Sequence, residues 1–298
     1  MRPAPRDPRP ATLLRRMLDE PEIIALPGAY DALTAELAER AGFSAVFTTG
    51  FGFAATVLGM PDYGLLTMSE TMDRVRHIVR ALSVPLVADM DTGYGNALNV
   101  VRTVRECVAL GVAGIILEDQ EWPKKCGHFE GKRVIPAEEQ AAKLRAAADA
   151  RGDDDLVIIG RTDARQPLGL EEAIRRGRLY RDAGADVVFV EAPRSVDELR
   201  AVARAIPDAP LFANMIEGGK TPLLTSAELQ ELGYKMVVYP LSALFSAAKA
   251  AEETYRALFQ EKTTASRQDA MVSLGQFEEI IGVPHWRDLE RRYAVESG

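Results

Sequence analysis

Two aspartates stand one residue apart in the run Asp89-Met90-Asp91, and Glu118 ends the next apolar run. Side chains two positions apart on a strand share a face, so Asp89 and Asp91 are expected side by side. Adjacent carboxylates repel, and a hard divalent cation resolves the repulsion, with Glu118 completing an oxygen-rich site. Oxygen donors suit Mg²⁺, or Mn²⁺, where zinc would prefer His and Cys. Because Mg²⁺ usually keeps several waters, only one or two carboxylates are expected to touch it, with Asp62 and others holding the waters. The opposite sign comes from Arg161, Lys124, Lys125 and Arg165. Forked guanidinium donors and compact ammonium charges next to such a site fit a substrate bearing several carboxylates. Thr49 and the backbone N–H of Gly50 read as a small cradle for one of them.

The segment Glu121-Trp122-Pro123-Lys124-Lys125-Cys126-Gly127-His128-Phe129-Glu130-Gly131-Lys132 follows the Glu118 run directly and is longer than most strand-to-helix loops. It is expected to be a lid, with Gly127 and Gly131 giving it hinge freedom. A cysteine between lysines and a histidine should have its thiolate stabilised by positive charge, so Cys126 is expected to exchange a proton near neutral pH. The bland alternative is a solvated basic loop with an incidental thiol.

These groups need a scaffold that brings distant segments to one place. Short Val/Ile/Leu/Phe-rich runs alternate with amphipathic segments of helical period, the mark of repeated βα units. The runs are 22–28, 44–50, 85–91, 113–119, 156–163, 186–192, 210–215 and 235–240. Gly42, Gly111, Gly184 and Gly233 each stand just past a predicted helix end, where a left-handed residue is wanted. Near-continuous apolar strands are buried on both faces, so the sheet is parallel and covered. Eight such units fit one α/β fold, a (β/α)8 TIM barrel with extra C-terminal helices. An open doubly wound sheet is the alternative, but no G-x-G-x-x-G turn follows the first run. In a barrel the catalytic groups sit at the C-terminal ends of strands. Thr49-Gly50, Asp89, Asp91, Glu118, Arg161, Glu191 and Asn214 all occupy such ends, so the pattern converges them on one rim.

The rest of the composition excludes rather than selects. The chain has 298 residues, 47% hydrophobic and 27% charged, with a formal charge of −8, which argues against nucleic acid as a partner. No run is long and apolar enough for a membrane helix, and the basic, proline-broken start lacks the apolar region of a signal peptide, so a cytoplasmic protein is expected. Two cysteines, Cys107 and Cys126, form neither a disulfide framework nor a C-x-x-C zinc spacing. Residues 1–20 are expected to be a loose arm, 21–262 the barrel, and 263–298 helices surplus to it.

Taken together, PDYG around Asp62, DMDTGYGN (89–96), LEDQ (117–120), KKCGH (124–128), RTDA (161–164), VEAP (190–193) and ANMIEGGKTP (213–222) resemble the isocitrate lyase and phosphoenolpyruvate mutase superfamily. KKCGH resembles its lyase branch. The resemblance implies metal held by Asp89, with Asp62, Asp91 and Glu118 acting largely through water. It implies a 2-hydroxy di- or tricarboxylate of the alkylmalate, dimethylmalate or methylisocitrate type, cleaved between C2 and C3 to a 2-oxo acid such as pyruvate and a carboxylate. Cys126 would protonate the departing fragment. Arg161 and Lys124 would balance charge, and His128, Glu191 and Asn214 would orient the carboxylates or the acid. Thr49, Gly50, Phe51, Asp89, Lys125, Gly127, Arg161 and Asn214 would contact substrate, with Phe51 narrowing the pocket. Phosphonomutase or oxaloacetate hydrolase chemistry on the same site is the alternative, the hydrolase disfavoured by Pro240 at the end of the eighth run. The C-terminal helices would pack on a neighbouring subunit in a helix-swapped dimer or a tetramer.

Overall fold

A computed structural model describes residues 9–294. Its eight strands are β1 (Ile24–Ala29), β2 (Val46–Thr48), β3 (Leu86–Asp89), β4 (Gly114–Glu118), β5 (Val157–Thr162), β6 (Val187–Val190), β7 (Leu211–Asn214) and β8 (Met236–Tyr239). All pair in parallel with their sequence neighbours, and β8 closes on β1 through Ile24↔Met236 to Pro27↔Tyr239, so the sheet is a closed (β/α)8 barrel. Each expected run holds one strand.

Alternation along the strands sorts the side chains. Leu26, Val87, Ile116, Ile159, Phe189, Phe212 and Val238 form the barrel interior. Their neighbours Ala88, Ile115, Leu117 and Ile158 pack outward with the helices on one side. Val188, Leu211, Ala213 and Val237 do so on the other. Burying each of the larger side chains among them stabilises the fold by roughly 1.5–3 kcal/mol. The helices start and stop on local chemistry. Thr67 and Glu70 form a reciprocal capping box, as do Asn96 and Asn99, and Thr225 and Glu228. Gly42, Gly111, Gly184 and Gly233 all have positive φ, as their positions after helix ends require.

Three features depart from the sequence pattern. Residues expected to be a loose arm form a helix from Pro10 to Asp19, with residues 1–8 outside the described part. Its Leu14 is fully buried among the interior side chains of the barrel, and Arg15 donates to the carbonyls of Asp155 and Leu156. The second run yields only three strand residues, because Thr49 caps a short helix Gly50–Phe53 that continues as a π-turn over Ala54–Leu58. The chain also forms two compact units, Met1–Ala243 and Leu244–Gly298, so the break falls within the helix Ser242–Glu261 and not after residue 262. The first unit contains the whole barrel. In the second, the helices Leu274–Ile280 and Val283–Tyr293 follow, and Phe259, Leu274 and Trp286 are exposed. No described helix is long and apolar enough to cross a membrane.

Candidate active site

The strand ends converge at the C-terminal mouth. Asp89 is the last residue of β3, Glu118 of β4 and Asn214 of β7, Arg161 is one short of the end of β5, and Glu191 follows β6. Asp91 does not share a strand face with Asp89, because β3 has already ended. It sits at φ 49° in the turn that follows, and its N–H donates to Asp89 Oδ1 at 3.1 Å. The two acids meet through this turn and not through strand periodicity. Gly50 approaches closely here: its N–H donates to Asp89 Oδ2 at 3.4 Å, and a Cβ on it would lie 3.1 Å from that oxygen.

Lys124 comes down from the lid into the acids. Its Nζ lies 2.7 Å from Asp62 Oδ1 and 2.7 Å from Asp91 Oδ1. Burial opposes its charge, but Asp62, Asp91 and Glu118 outweigh that and push its pKa well above the ordinary lysine range. One ammonium does not neutralise the group. Burial pushes the Asp91 carboxyl up to about 7 despite Lys124, and burial likewise raises Glu118 well above the usual carboxylate range. Glu118 Oε1 is buried without a hydrogen-bond partner. Among the described residues no set of three or more acidic, His or Cys side chains is gathered as a ready ligand shell. The donor set nevertheless fits a hard cation, since it is all oxygen, short of positive charge, and holds an unpartnered carboxylate oxygen.

Arg161 is the second cation, and it is fixed on every side. Its Nε lies 2.9 Å from Asp163 Oδ2 and 3.3 Å from Glu118 Oε2, and its Nη2 lies 3.2 Å from Glu191 Oε2. Its guanidinium carbon stands 5.1 Å from the centroid of the Phe189 ring. Behind it, Asp119 accepts from Thr162 Oγ1, Arg176 Nη1, Tyr180 Oη and the N–H of Asp163 at 2.7–2.9 Å, tying β4 to β5.

The lid spans Glu121 to Arg133, closed at its neck by Glu121 N–H donating to Arg133 O at 2.9 Å and a bridge between Gln120 and Val134. The Gln120 amide holds the Lys125 backbone from both sides, accepting its N–H at 2.9 Å and donating to its carbonyl at 2.8 Å. Cys126 N–H donates to Asp62 O at 3.1 Å, which places the thiol in the cleft. Gly127 lies against Arg161 and Glu191, where a Cβ would come within 2.4 Å of Arg161 Nη2. His128 Nδ1 accepts from Lys220 N–H at 2.9 Å, so the ring proton is on Nε2, 3.0 Å from Glu191 Oε1.

Positive surroundings do not prevail at Cys126, where burial outweighs the help that Lys124 gives a thiolate. Burial pushes this thiol up to about 12, Asp62 adds to the rise, and Lys124 spends its charge on the acids. Lys125 points elsewhere, its Nζ donating to Gly131 O at 3.1 Å and lying 6.0 Å from the Tyr63 ring centroid. The thiol is therefore protonated at neutral pH, which is the state a proton donor needs.

Of the residues expected at the site, Thr49, Phe51, Asp62, Asp89, Lys124, Cys126, Gly127, Arg161 and Asn214 line one cleft. Glu191, His128, Glu118 and Asp91 stand around them, while the side chain of Lys125 is outside. Arg165 is also removed, paired with Glu198 at 2.5 Å. Sequence reasoning missed Gln120, Lys132 and Lys220, whose contacts hold the lid, and the apolar wall Ile216, Val238 and Leu241. The only signal for them was position: Gln120 closes LEDQ, and Lys220 stands in the polar run after β7.

Glu191 illustrates how the site is held. Burial raises its pKa, but Arg161 and His128 reverse this and bring it down to about 2. A carboxyl lowered on folding adds stability above its unfolded pKa and loses it as pH falls towards the folded value. Glu191→Gln is therefore expected to cost about 3 kcal/mol at pH 7, the scale for breaking a buried ion pair. The cost should shrink as pH falls from about 4.5 towards 2. Urea unfolding at pH 7 and pH 3 measures it.

Acids and buried cations gathered under a cysteine-bearing lid at the mouth of a closed barrel have the make-up of an enzyme site. The family profile described as phosphoenolpyruvate phosphomutase matches residues 14–259. The chain is 46% identical to 2,3-dimethylmalate lyase of Eubacterium barkeri, over 96% of this chain and 98% of that one. Among solved structures, it resembles oxaloacetate acetylhydrolase with 3,3-difluorooxalacetate bound, at TM-score 0.92 and 35% identity, covering 97% and 99% of the two chains. It also resembles phosphonopyruvate hydrolase in complex with oxalate and Mg⁺⁺, at TM-score 0.86 and 32% identity, covering 96% and 99%. The chain belongs to the phosphoenolpyruvate mutase/isocitrate lyase superfamily. It is an enzyme of the carbon–carbon lyase type.

Proposed function

We propose that the chain cleaves the C2–C3 bond of an alkyl-substituted 2-hydroxy dicarboxylate of the dimethylmalate type, giving a 2-oxo acid such as pyruvate and a short carboxylate. The observation that carries this reading is Cys126: a buried, protonated thiol on a lid, in a cleft that also holds Asp89, Arg161 and Asn214. The similarity to a 2,3-dimethylmalate lyase supports it. The rest of the lining supports it further, since Phe47, Phe51, Ile216, Val238, Pro240 and Leu241 bring apolar side chains to the cleft. Lys124 and Arg161 are the only cations lining the cleft among the described residues. A third carboxylate would be desolvated there without a partner, which is costly, whereas a methyl group is welcome.

Asp89, with Asp62, Asp91 and Glu118 around it, would hold Mg²⁺, a hard cation that supplies positive charge beside the oxygen turning anionic. The solved relative with oxalate and Mg⁺⁺ supports that choice. Arg161 adds a second fixed charge and needs no reorganisation during the reaction, because Glu118, Asp163 and Glu191 already orient it. The 2-hydroxyl loses its proton and C2 becomes the 2-oxo carbon. The electron pair of the broken C2–C3 bond passes to C3, and the Cys126 Sγ–H protonates it. The proton released at the start balances the one that restores the thiol. Glu191 orients His128 and Asn214, whose Nδ2 lies 3.2 Å from Glu191 Oε2.

The test is release of a 2-oxo acid from 2,3-dimethylmalate, other alkylmalates and 2-methylisocitrate, with Mg²⁺ present. Alkylmalates are expected to turn over, with kcat/KM well above that for the tricarboxylate, and silence with all of them defeats the proposal. Phe51→Ala should relax discrimination between substrates differing by one methyl group by roughly 10–200-fold. The exposed Phe259, Leu274 and Trp286 of the second unit favour self-association, to a dimer or tetramer, which light scattering would read.

A further inference from the structure

Lys132 is a lid residue without a part in the proposed reaction, and its side chain is completely buried. Burying an ammonium costs several kcal/mol unless its protons are well paired. This one has two partners of different kinds. Its Nζ lies 2.7 Å from Asp163 Oδ1, at the end of β5, and it donates to the carbonyl of Gly127. Gly127 belongs to the descending limb of the lid and Lys132 to the returning limb. The ammonium thus crosses the lid from inside and fastens both limbs to the barrel through the carboxylate that also orients Arg161 by two hydrogen bonds, at 2.9 and 3.1 Å.

We propose that Lys132 is the latch of the lid, a positioning residue that sets Cys126 and Gly127 against Arg161 by joining the Gly127 carbonyl to Asp163. The geometry supports that role over simple space-filling. A lysine serving only packing would not aim its charge at one lid carbonyl, and Gly127 has no room to shift towards Arg161, since even a Cβ would collide there. Asp163 is itself held from behind, its N–H donating to Asp119 Oδ1 at 2.8 Å, so the latch is anchored to two strands. Closure of the lid and orientation of Arg161 consequently share one carboxylate.

The experiment reads lid position without requiring turnover, so it stands apart from the proposed reaction. Lys132→Met is treated with iodoacetamide at fixed pH, and modification of Cys126 and Cys107 is followed separately by peptide mass spectrometry. Removing a positive charge raises a thiol pKa and by itself slows alkylation, so faster labelling can only come from exposure. The expected result is at least tenfold faster labelling of Cys126, with Cys107, fully buried on the inner face of the helix Ala97–Leu110, unchanged. Equal labelling of wild type and variant overturns the latch. Parallel acceleration at both cysteines overturns it too, because it reports general loosening. If the variant does not accumulate in folded form, hydrogen exchange of the wild-type chain decides. Exchange of the Cys126 and Phe129 amides as slow as that of the strands upholds a latched lid, and exchange within seconds overturns it. If dimethylmalate turnover is found, kcat of the variant should fall with a smaller change in KM.

Discussion

Cys126→Ser is expected to lower kcat by about 10²–10⁴-fold, the usual contribution of a positioned proton donor, with KM close to that of the wild type. The substitution keeps the size and the backbone bond from Cys126 N–H to Asp62 O, so the lid should close as before. What it removes is the acid. Because burial holds the thiol near 12, the donor form persists through neutral pH and above, and no Cys126-linked loss of activity should appear between pH 6 and 9. A second readout separates proton donation from mere packing. In D2O the wild-type enzyme should place one deuterium on one face of the released carboxylate, as NMR would show. In the variant, water reaches the carbanion from either side and stereochemistry is lost. Turnover within a few-fold of wild type, with stereospecific labelling intact, would take Cys126 out of the chemistry.

Most of the scaffold was readable because barrels write themselves into sequence twice. Strands buried on both faces become apolar runs, and the helix ends between them need glycine at positive φ, as at Gly111 and Gly184. Site residues at strand ends follow from the same register, which is why the sequence alone puts Asp89, Glu118 and Asn214 at strand ends. The rest depended on contacts that no period encodes. Asp91 meets Asp89 by a left-handed turn, and an alternation rule places it correctly for the wrong reason.

The lid shows this limit most clearly. Four charged or polar side chains in one basic stretch take four different directions: Lys124 into the acids, Lys125 out to Gly131, His128 to Glu191 and Lys132 to Asp163. Composition predicts a positive field around the cysteine, and the directions leave too little of it to offset burial. The protonation state of Cys126 therefore follows from burial and from Asp62, features that become visible only when the lid is folded onto the barrel.

Exhaustive chelation is expected to reduce turnover by about 10³-fold or more, the equivalent of several kcal/mol of charge stabilisation, and added Mg²⁺ or Mn²⁺ should restore it. The reason lies in the charge balance around Lys124. Asp62, Asp89, Asp91 and Glu118 face a single lysine and a share of Arg161, and Glu118 Oε1 has no hydrogen-bond partner. A cation that binds only the folded chain must also stabilise it, by about 2.7 kcal/mol at a hundredfold excess over Kd, so Mg²⁺ should raise Tm in the absence of substrate. Asp89→Asn should abolish both the rescue and the Tm increase, since the Asp89 oxygens accept from the backbone N–H groups of Gly50 and Asp91 and, among the described residues, form no ion pair with Lys124. The two readouts fail in different ways. A Tm increase without rescue keeps the cation and removes the reaction assigned to it, whereas full turnover after chelation leaves the acids without the role their burial demands.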